Sequence, residues 1–138
     1  MSKILLPIDG SEHGLRALDK VLRRDRASLD LHLLSVQLPF DGNVRTFINA
    51  DELDAYHREE GLAALAAARL RLDAARIPYQ VHVLVGHPAD IICRFAAEQA
   101  YDEIVMGTHG RTGLFQRLMG SVAAEVSARA KTRVTLVK

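Results

Sequence analysis

Short apolar runs alternate along the chain with longer stretches in which apolar residues recur every three or four positions, a pattern that predicts strands alternating with helices and hence a parallel sheet. The order reads β, α, β, α, β, α, β, α, β. Lys3 to Ile8 is apolar after its lysine, as expected of a strand covered on both faces, and Pro7 is tolerable because it lies at the strand's end. Asp9-Gly10-Ser11 turns the chain, and Ser11 is placed to cap a helix through Leu15, Leu18 and Leu22 that ends near Arg24. A second strand spans Leu29 to Val36, and Leu38 to Asn49, with Pro39 and Asp41-Gly42-Asn43, reads as a loop that is long for a compact domain.

A long helix follows from Asp51 to Arg76, with Leu62, Leu65 and Leu72 on one side and Ala63, Ala67, Leu70 and Ala74 on another. Ile77-Pro78 stops it. Tyr79 to Val85 reads as a third strand, and His87-Pro88 opens a helix reaching about Ala100. The fourth strand is Asp102 to Gly107, the fourth helix Gly120 to Ala130, and the last strand Arg133 to Val137. The sequence thus predicts an α/β fold, one doubly wound domain over residues 1–138 with five mainly parallel strands and helices on both faces. Ligands of such sheets bind beyond the carboxyl ends of the strands where strand order reverses, which directs attention to Asp9, Val36 and Gly107.

Between the fourth strand and fourth helix lies Gly107-Thr108-His109-Gly110-Arg111-Thr112-Gly113, and after six further residues Gly120-Ser121. Glycines let a ligand reach peptide N–H groups with no Cβ in the way, and a helix beginning at Gly120-Ser121-Val122 would offer N–H donors, a positive dipole end and the Ser121 hydroxyl to an anion. Asp9 can accept hydrogen bonds from a ribose or base, or form an Asx turn before Gly10. Neither a P-loop ending Gly-Lys-Ser/Thr nor a Gly-x-Gly-x-x-Gly after the first strand is present.

Composition narrows the partners. Eighteen lysines and arginines against 17 acidic residues give a net charge of +1, without the basic excess of a nucleic-acid-binding chain, so an anion site must be local. Hydrophobic residues at 49% suit a folded domain, and no run is long enough for a membrane span or signal peptide, which with the single Cys93 points to the cytoplasm. Cys93, among Ile91, Ile92, Phe95 and Ala96, reads as a small buried hydrophobe. His82, His87 and His109 match no metal-binding spacing, and no metal site is expected.

The opening Ile4-Leu5-Leu6-Pro7-Ile8-Asp9-Gly10-Ser11, the strand Ile104-Val105-Met106-Gly107, the loop from Gly107 to Ser121 and the closing Val134-Thr135-Leu136-Val137 together resemble the universal stress proteins (UspA-like), in the branch with the ATP-binding glycine motif. The resemblance implies an adenine nucleotide alpha hydrolase-like, Rossmann-like open sheet, usually in a homodimer, with ATP at the carboxyl ends of the strands. It sets Pro7, Ile8, Asp9 and Val36 around the adenosine, Met106 and Gly107 along the strand edge, and Gly110, Gly120, Ser121 and Val122 around the phosphates, with Arg111 as a further phosphate contact and Arg117 a weaker candidate. Magnesium or manganese, where present, would be held by the phosphates. Arg133 and Thr135 depart from the apolar final strand through which such homodimers form.

For catalysis, only Asp9, Ser121 and Arg111 stand near the expected phosphates, with nothing to position a water, so the sequence reads as a nucleotide-responsive regulatory or stress-resistance protein with no catalytic residue assigned. The alternatives are a slow ATP hydrolase and a dimeric interaction module that binds no nucleotide.

Overall fold

The computed structural model describes residues 1–40, 49–108 and 117–138, the side chains of 117–119 excepted. Strands β1 (Ser2–Pro7), β2 (Leu29–Gln37), β3 (Tyr79–Val85), β4 (Glu103–Gly107) and β5 (Arg133–Val137) form one sheet in the order β3-β2-β1-β4-β5, every pair parallel. Helices α1 (Glu12–Val21), α2 (Ala50–Ala74), α3 (Pro88–Glu98) and α4 (Arg117–Arg129) connect them. The sequence therefore reads correctly as a doubly wound α/β sheet with helices on both faces.

β1 is central, and its alternating side chains feed two cores. Ile4, Leu6 and Ile8 join Leu18 and Val21 of α1, Leu65 and Leu72 of α2, and Leu31 and Leu33 of β2. Leu5 joins Leu34, Ile92 of α3, Ile104 and Met106 of β4, and Val122 and Val126 of α4. With both faces buried, β1 has no polar face to show, hence its continuous apolar run. β1 runs alongside β2 from Ser2–Leu29 to Pro7–Leu34, yet pairs with β4 only at Ile4–Glu103 and Leu5–Ile104. Strand order reverses at this seam.

Several expected boundaries shift. Ser11 does not cap α1 with its side chain; its Oγ donates to Asp9 Oδ1 at 2.5 Å, and its N–H donates to the same oxygen at 2.9 Å. α1 ends at Val21, not Arg24: the Arg23 and Arg24 N–H groups donate to the Lys20 and Val21 carbonyls in a tighter turn, from which the Arg24 side chain pairs with Glu103 at 2.8 Å. α2 begins one residue early: Asn49, expected as the end of a loop, accepts from the Glu52 N–H at 2.8 Å while its side chain donates to the Glu52 carboxylate at 2.8 Å, a reciprocal cap. The buried face of α2 is His57, Gly61, Leu65, Ala68 and Leu72, whereas Ala63, Ala67, Ala74 and Leu70, the last 71% exposed, face outward. α3 ends at Glu98, and α4 starts at Arg117 rather than Gly120. Gly10 turns the chain at φ +91°, a conformation that glycine, lacking a Cβ, adopts at little cost. Most of the expected loop from Leu38 to Asn49, residues 41–48, lies outside the described residues.

Candidate functional site

Beyond the carboxyl ends of β1 and β2, on the face covered by α3 and α4, an open cleft of about 60 Å³ is lined by Pro7, Ile8, Asp9, Leu34, Val36, Leu38, Pro88, Ile92 and Val122. The β1–β2 register holds its floor, extended by the Ile8 N–H donating to the Leu34 carbonyl at 2.8 Å. Pro88 opens α3 at its first turn, and the capping residue His87 makes no side-chain cap bond, so the helix presents its N-terminal end toward this region. Past Pro88 and Val122 the cleft adjoins a polar depression lined by His87, Ala89, Asp90, Ser121, Glu125 and Arg129. Within it Arg129 bonds Asp90 at 2.5 Å and Glu125 at 3.0 Å, and the guanidinium holds the Asp90 carboxyl below the usual carboxylate range.

Of the residues picked from the sequence, Pro7, Ile8, Asp9, Val36 and Val122 meet in the cleft, and Ser121 sits in the adjoining depression. Asp9 is exposed at the rim and is the only charged side chain lining the cleft among the described residues. One of its oxygens closes the turn to Ser11, so the Asx geometry is present alongside the cleft position. Met106 is fully buried beneath the sheet's α3–α4 core and lines no part of the cleft. Gly107 ends β4 where a Cβ would fall 1.9 Å from the His13 carbonyl oxygen of α1, so glycine is required there by helix–strand contact. Gly120 lies within α4, half-buried and three residues after Arg117, which corrects the expectation that Gly120-Ser121-Val122 opens the helix. Gly110, Arg111 and His109 lie outside the described residues, as does the Arg117 side chain.

Leu34, Leu38, Pro88 and Ile92 were not singled out from the sequence. Leu34 was within reach, two residues before Val36 and so on the same face of β2, and Ile92 lies one turn after Pro88. Cys93 is half-buried against the α3–α4 core, and burial pushes its thiol up from the ordinary value. No group of three residues able to hold a metal is present among the described residues, and none of their helices is long and apolar enough to cross a membrane.

An apolar cleft with one carboxylate at its rim thus opens beyond the strand ends of a doubly wound parallel sheet, the region where such sheets bind their ligands. The family model described as "Universal stress protein family" matches residues 1–138, and the chain belongs to that family. It is 30% identical to universal stress protein MJ0531 of Methanocaldococcus jannaschii, covering 99% of this chain and 81% of that one. Among solved structures it resembles hypothetical protein MJ0577 (TM-score 0.75, 30% identity, 99% and 95% of the two chains). It also resembles a universal stress protein in complex with cAMP (TM-score 0.69, 28% identity, 99% and 96%).

Proposed function

We propose that this chain is an adenine-nucleotide-binding regulatory protein, with ATP as its ligand. The observation that carries the reading is the cleft: aliphatic side chains of Pro7, Val36, Leu38, Ile92 and Val122 form walls for a flat purine, with the Asp9 carboxylate at the rim to accept from a ribose hydroxyl or base amino group. The N-terminal end of α3, at His87 and Pro88 beside the adjoining depression, suits the attached phosphates. The relative that forms a complex with cAMP supports an adenine ligand. Pro7, Ile8, Asp9, Val36 and Val122 would hold the nucleoside end, and Gly120 and Ser121, with Gly110 and Arg111, the phosphates; a magnesium or manganese ion would come with the phosphates and shield their charge.

The reading is of binding rather than turnover, because the cleft offers a single carboxylate, already engaged on one oxygen by Ser11. Nucleotide occupancy would then act through differential affinity for two states of the protein. The test is to denature the purified protein, identify any released nucleotide by mass, and titrate ATP, AMP and cAMP calorimetrically into the emptied, refolded protein. Asp9→Ala, an exposed change, should weaken ATP about 10- to 100-fold, the value of a hydrogen bond to a charged group. Absence of binding at millimolar nucleotide would refute the function, and unchanged affinity in Asp9→Ala would refute the placement of the nucleoside.

A further inference from the structure

Alternate residues of a strand share a face, so β2 sets His32 in line with Leu34 and Val36, both of which line the cleft. On β3 the register partner of Leu34 is His82. α3 lies over the same residues: Pro88 and Ile92 line the cleft, and Phe95, three positions after Ile92, packs on the His82 ring with centroids 5.0 Å apart. A histidine pair thus adjoins the cleft on the side toward the amino ends of the strands.

The two rings are nearly parallel, 8° between planes and 5.2 Å between centroids, with His32 Nδ1 2.9 Å from His82 Nε2. His32 is buried, and its Nε2–H donates to Asp30 Oδ1 at 3.1 Å, so its Nδ1 is left to accept from His82. Tyr101, also buried, stands edge-on to His32 at 5.0 Å, with its hydroxyl 3.4 Å from His82 Nε2. From β1 comes Lys3, whose ammonium donates to the Gln99 carbonyl at 2.6 Å and lies 4.5 Å over the Tyr101 ring. Asp30, Lys3 and Tyr101 are therefore the titratable groups facing the pair, and α3 presents the Phe95 ring to it. Burial pushes both imidazoles below the ordinary 6.5, and Lys3 adds to this, so the pair is neutral at pH 7.5.

A proton added to the pair creates an imidazolium among aromatic walls, with Lys3 as a like charge and Asp30 as the one carboxylate to offset it. A second proton would set two donors face to face across the same contact. Charging the pair therefore requires water to enter. Two walls are strands of the sheet, so the wall that gives is Phe95 on α3. From this arrangement we infer that the His32–His82 pair is a proton-linked control point for the cleft: protonating it displaces Phe95 and with it Ile92 and Pro88, and a ligand held there is released as the pH falls. The effect is reciprocal, since a ligand that holds α3 in place opposes protonation of the pair. For the identity of the ligand the inference rests on the nucleotide reading; for the movement of α3 it does not.

The test takes two readouts from the intact protein between pH 7.5 and 5.0, with circular dichroism to verify that it stays folded. In the ligand-free protein, NMR should show the Ile92, Leu34 and Val36 methyl resonances moving with the same midpoint as the His32 and His82 ring protons. By calorimetry, cAMP, whose phosphodiester keeps one charge over this range, should bind about fivefold or more weakly at pH 5.0 than at pH 7.5. His82→Gln, whose amide can still donate to His32, should abolish that difference and keep the pH 7.5 affinity within about twofold. Methyl resonances that do not follow the ring midpoint, a pH difference that survives in His82→Gln, or one abolished instead by His87→Gln in the adjoining depression would each overturn the inference. Failure of both cAMP and ATP to bind at either pH would refute the nucleotide reading, and the methyl titration would then decide the coupling alone, as it would if His82→Gln did not fold.

Discussion

Replacing Gly107 by alanine separates a packing role for this glycine from a ligand-contacting one. The new Cβ would lie 1.9 Å from the His13 carbonyl oxygen and 2.2 Å from its carbon, against a floor of 3.0 Å for real contacts. Either β4 or α1 must therefore move by more than 1 Å. The obstacle is backbone, which cannot rotate aside, and α1 is anchored by Ala17, Leu18 and Val21, all fully buried. Overpacking that forces backbone shifts costs about 1–3 kcal/mol, offset by the roughly 0.4–1 kcal/mol that alanine removes from unfolded-chain entropy, so with a backbone obstacle a net loss of about 2 kcal/mol is expected. For 138 residues at about 2.1 cal/mol/K of unfolding entropy each, that is a fall of about 7 °C in melting temperature. Thermal denaturation by circular dichroism, with and without ATP, measures it. A variant that melts within about 2 °C of the parent yet no longer binds nucleotide would refute the packing argument and return Gly107 to the ligand.

Other perturbations follow from the same contacts. Glu103, nearly buried, is held below the usual carboxylate range first by its hydrogen bond from Arg24 and further by Thr135; Glu103→Gln leaves Arg24 without its counter-charge and should destabilise the fold by about 2–3 kcal/mol in urea titrations, less than the worst buried pairs because Arg24 reaches water. His32, buried, and His82 contact each other at 2.9 Å, and burial lowers both rings from the ordinary 6.5, Asp30 at 3.1 Å only partly countering this for His32. The unfolded chain then binds more protons, so stability is full above pH 6.5 and falls as pH drops from there toward the folded values; His32→Leu should flatten that stretch of the denaturation midpoint against pH, and an unchanged slope would assign it elsewhere. Cys93, its thiol pushed up by burial, should react with maleimide in the native protein at well under a tenth of the rate in denaturant, followed by mass.

Strands were more legible than helix ends. β3 at Tyr79–Val85 and β5 at Arg133–Val137 have the bounds that hydrophobic patterning and flanking breakers indicate, because a strand stops where its apolar run stops. Helix ends were less so: Leu22 and Arg24 fit the α1 pattern, yet the chain tightens into a turn after Val21, and Gly120-Ser121 looks like a helix start although residues 117–119 before it are already helical. In α2, alanines at 63, 67 and 74 read as a packing face, yet they serve helix propensity in water, since alanine loses no side-chain entropy and buries nothing. Within the candidate site, Asp9 and Val36 were legible as strand ends, whereas Pro7 and Ile8 came only with the family resemblance. Pro88 and Ile92 were not, because periodicity does not tell which helix lies over which strand pair.

The one-sided position of the cleft follows from two features of the seam where strand order reverses. β1 and β4 share register only through Ile4–Glu103 and Leu5–Ile104 before they separate toward their carboxyl ends. On one face the separation is closed by α1, whose backbone approaches Gly107 so nearly that not even a methyl group fits. On the opposite face no such approach occurs: Pro88 and Ile92 of α3 and Val122 of α4 stand apart from Pro7 and Val36, and the space between them is the cleft. A ligand there must press on α3 and α4 rather than on α1 and α2. Those two helices are joined across the adjoining depression by the Arg129–Asp90 pair, which is half-exposed and so contributes little to holding them at a fixed separation. What sets their separation is the buried packing of Ile92 and Ala96 of α3 with Val122, Ala123 and Val126 of α4, so a ligand in the cleft presses on core side chains on this face, whereas on the other it would meet glycine against helix backbone.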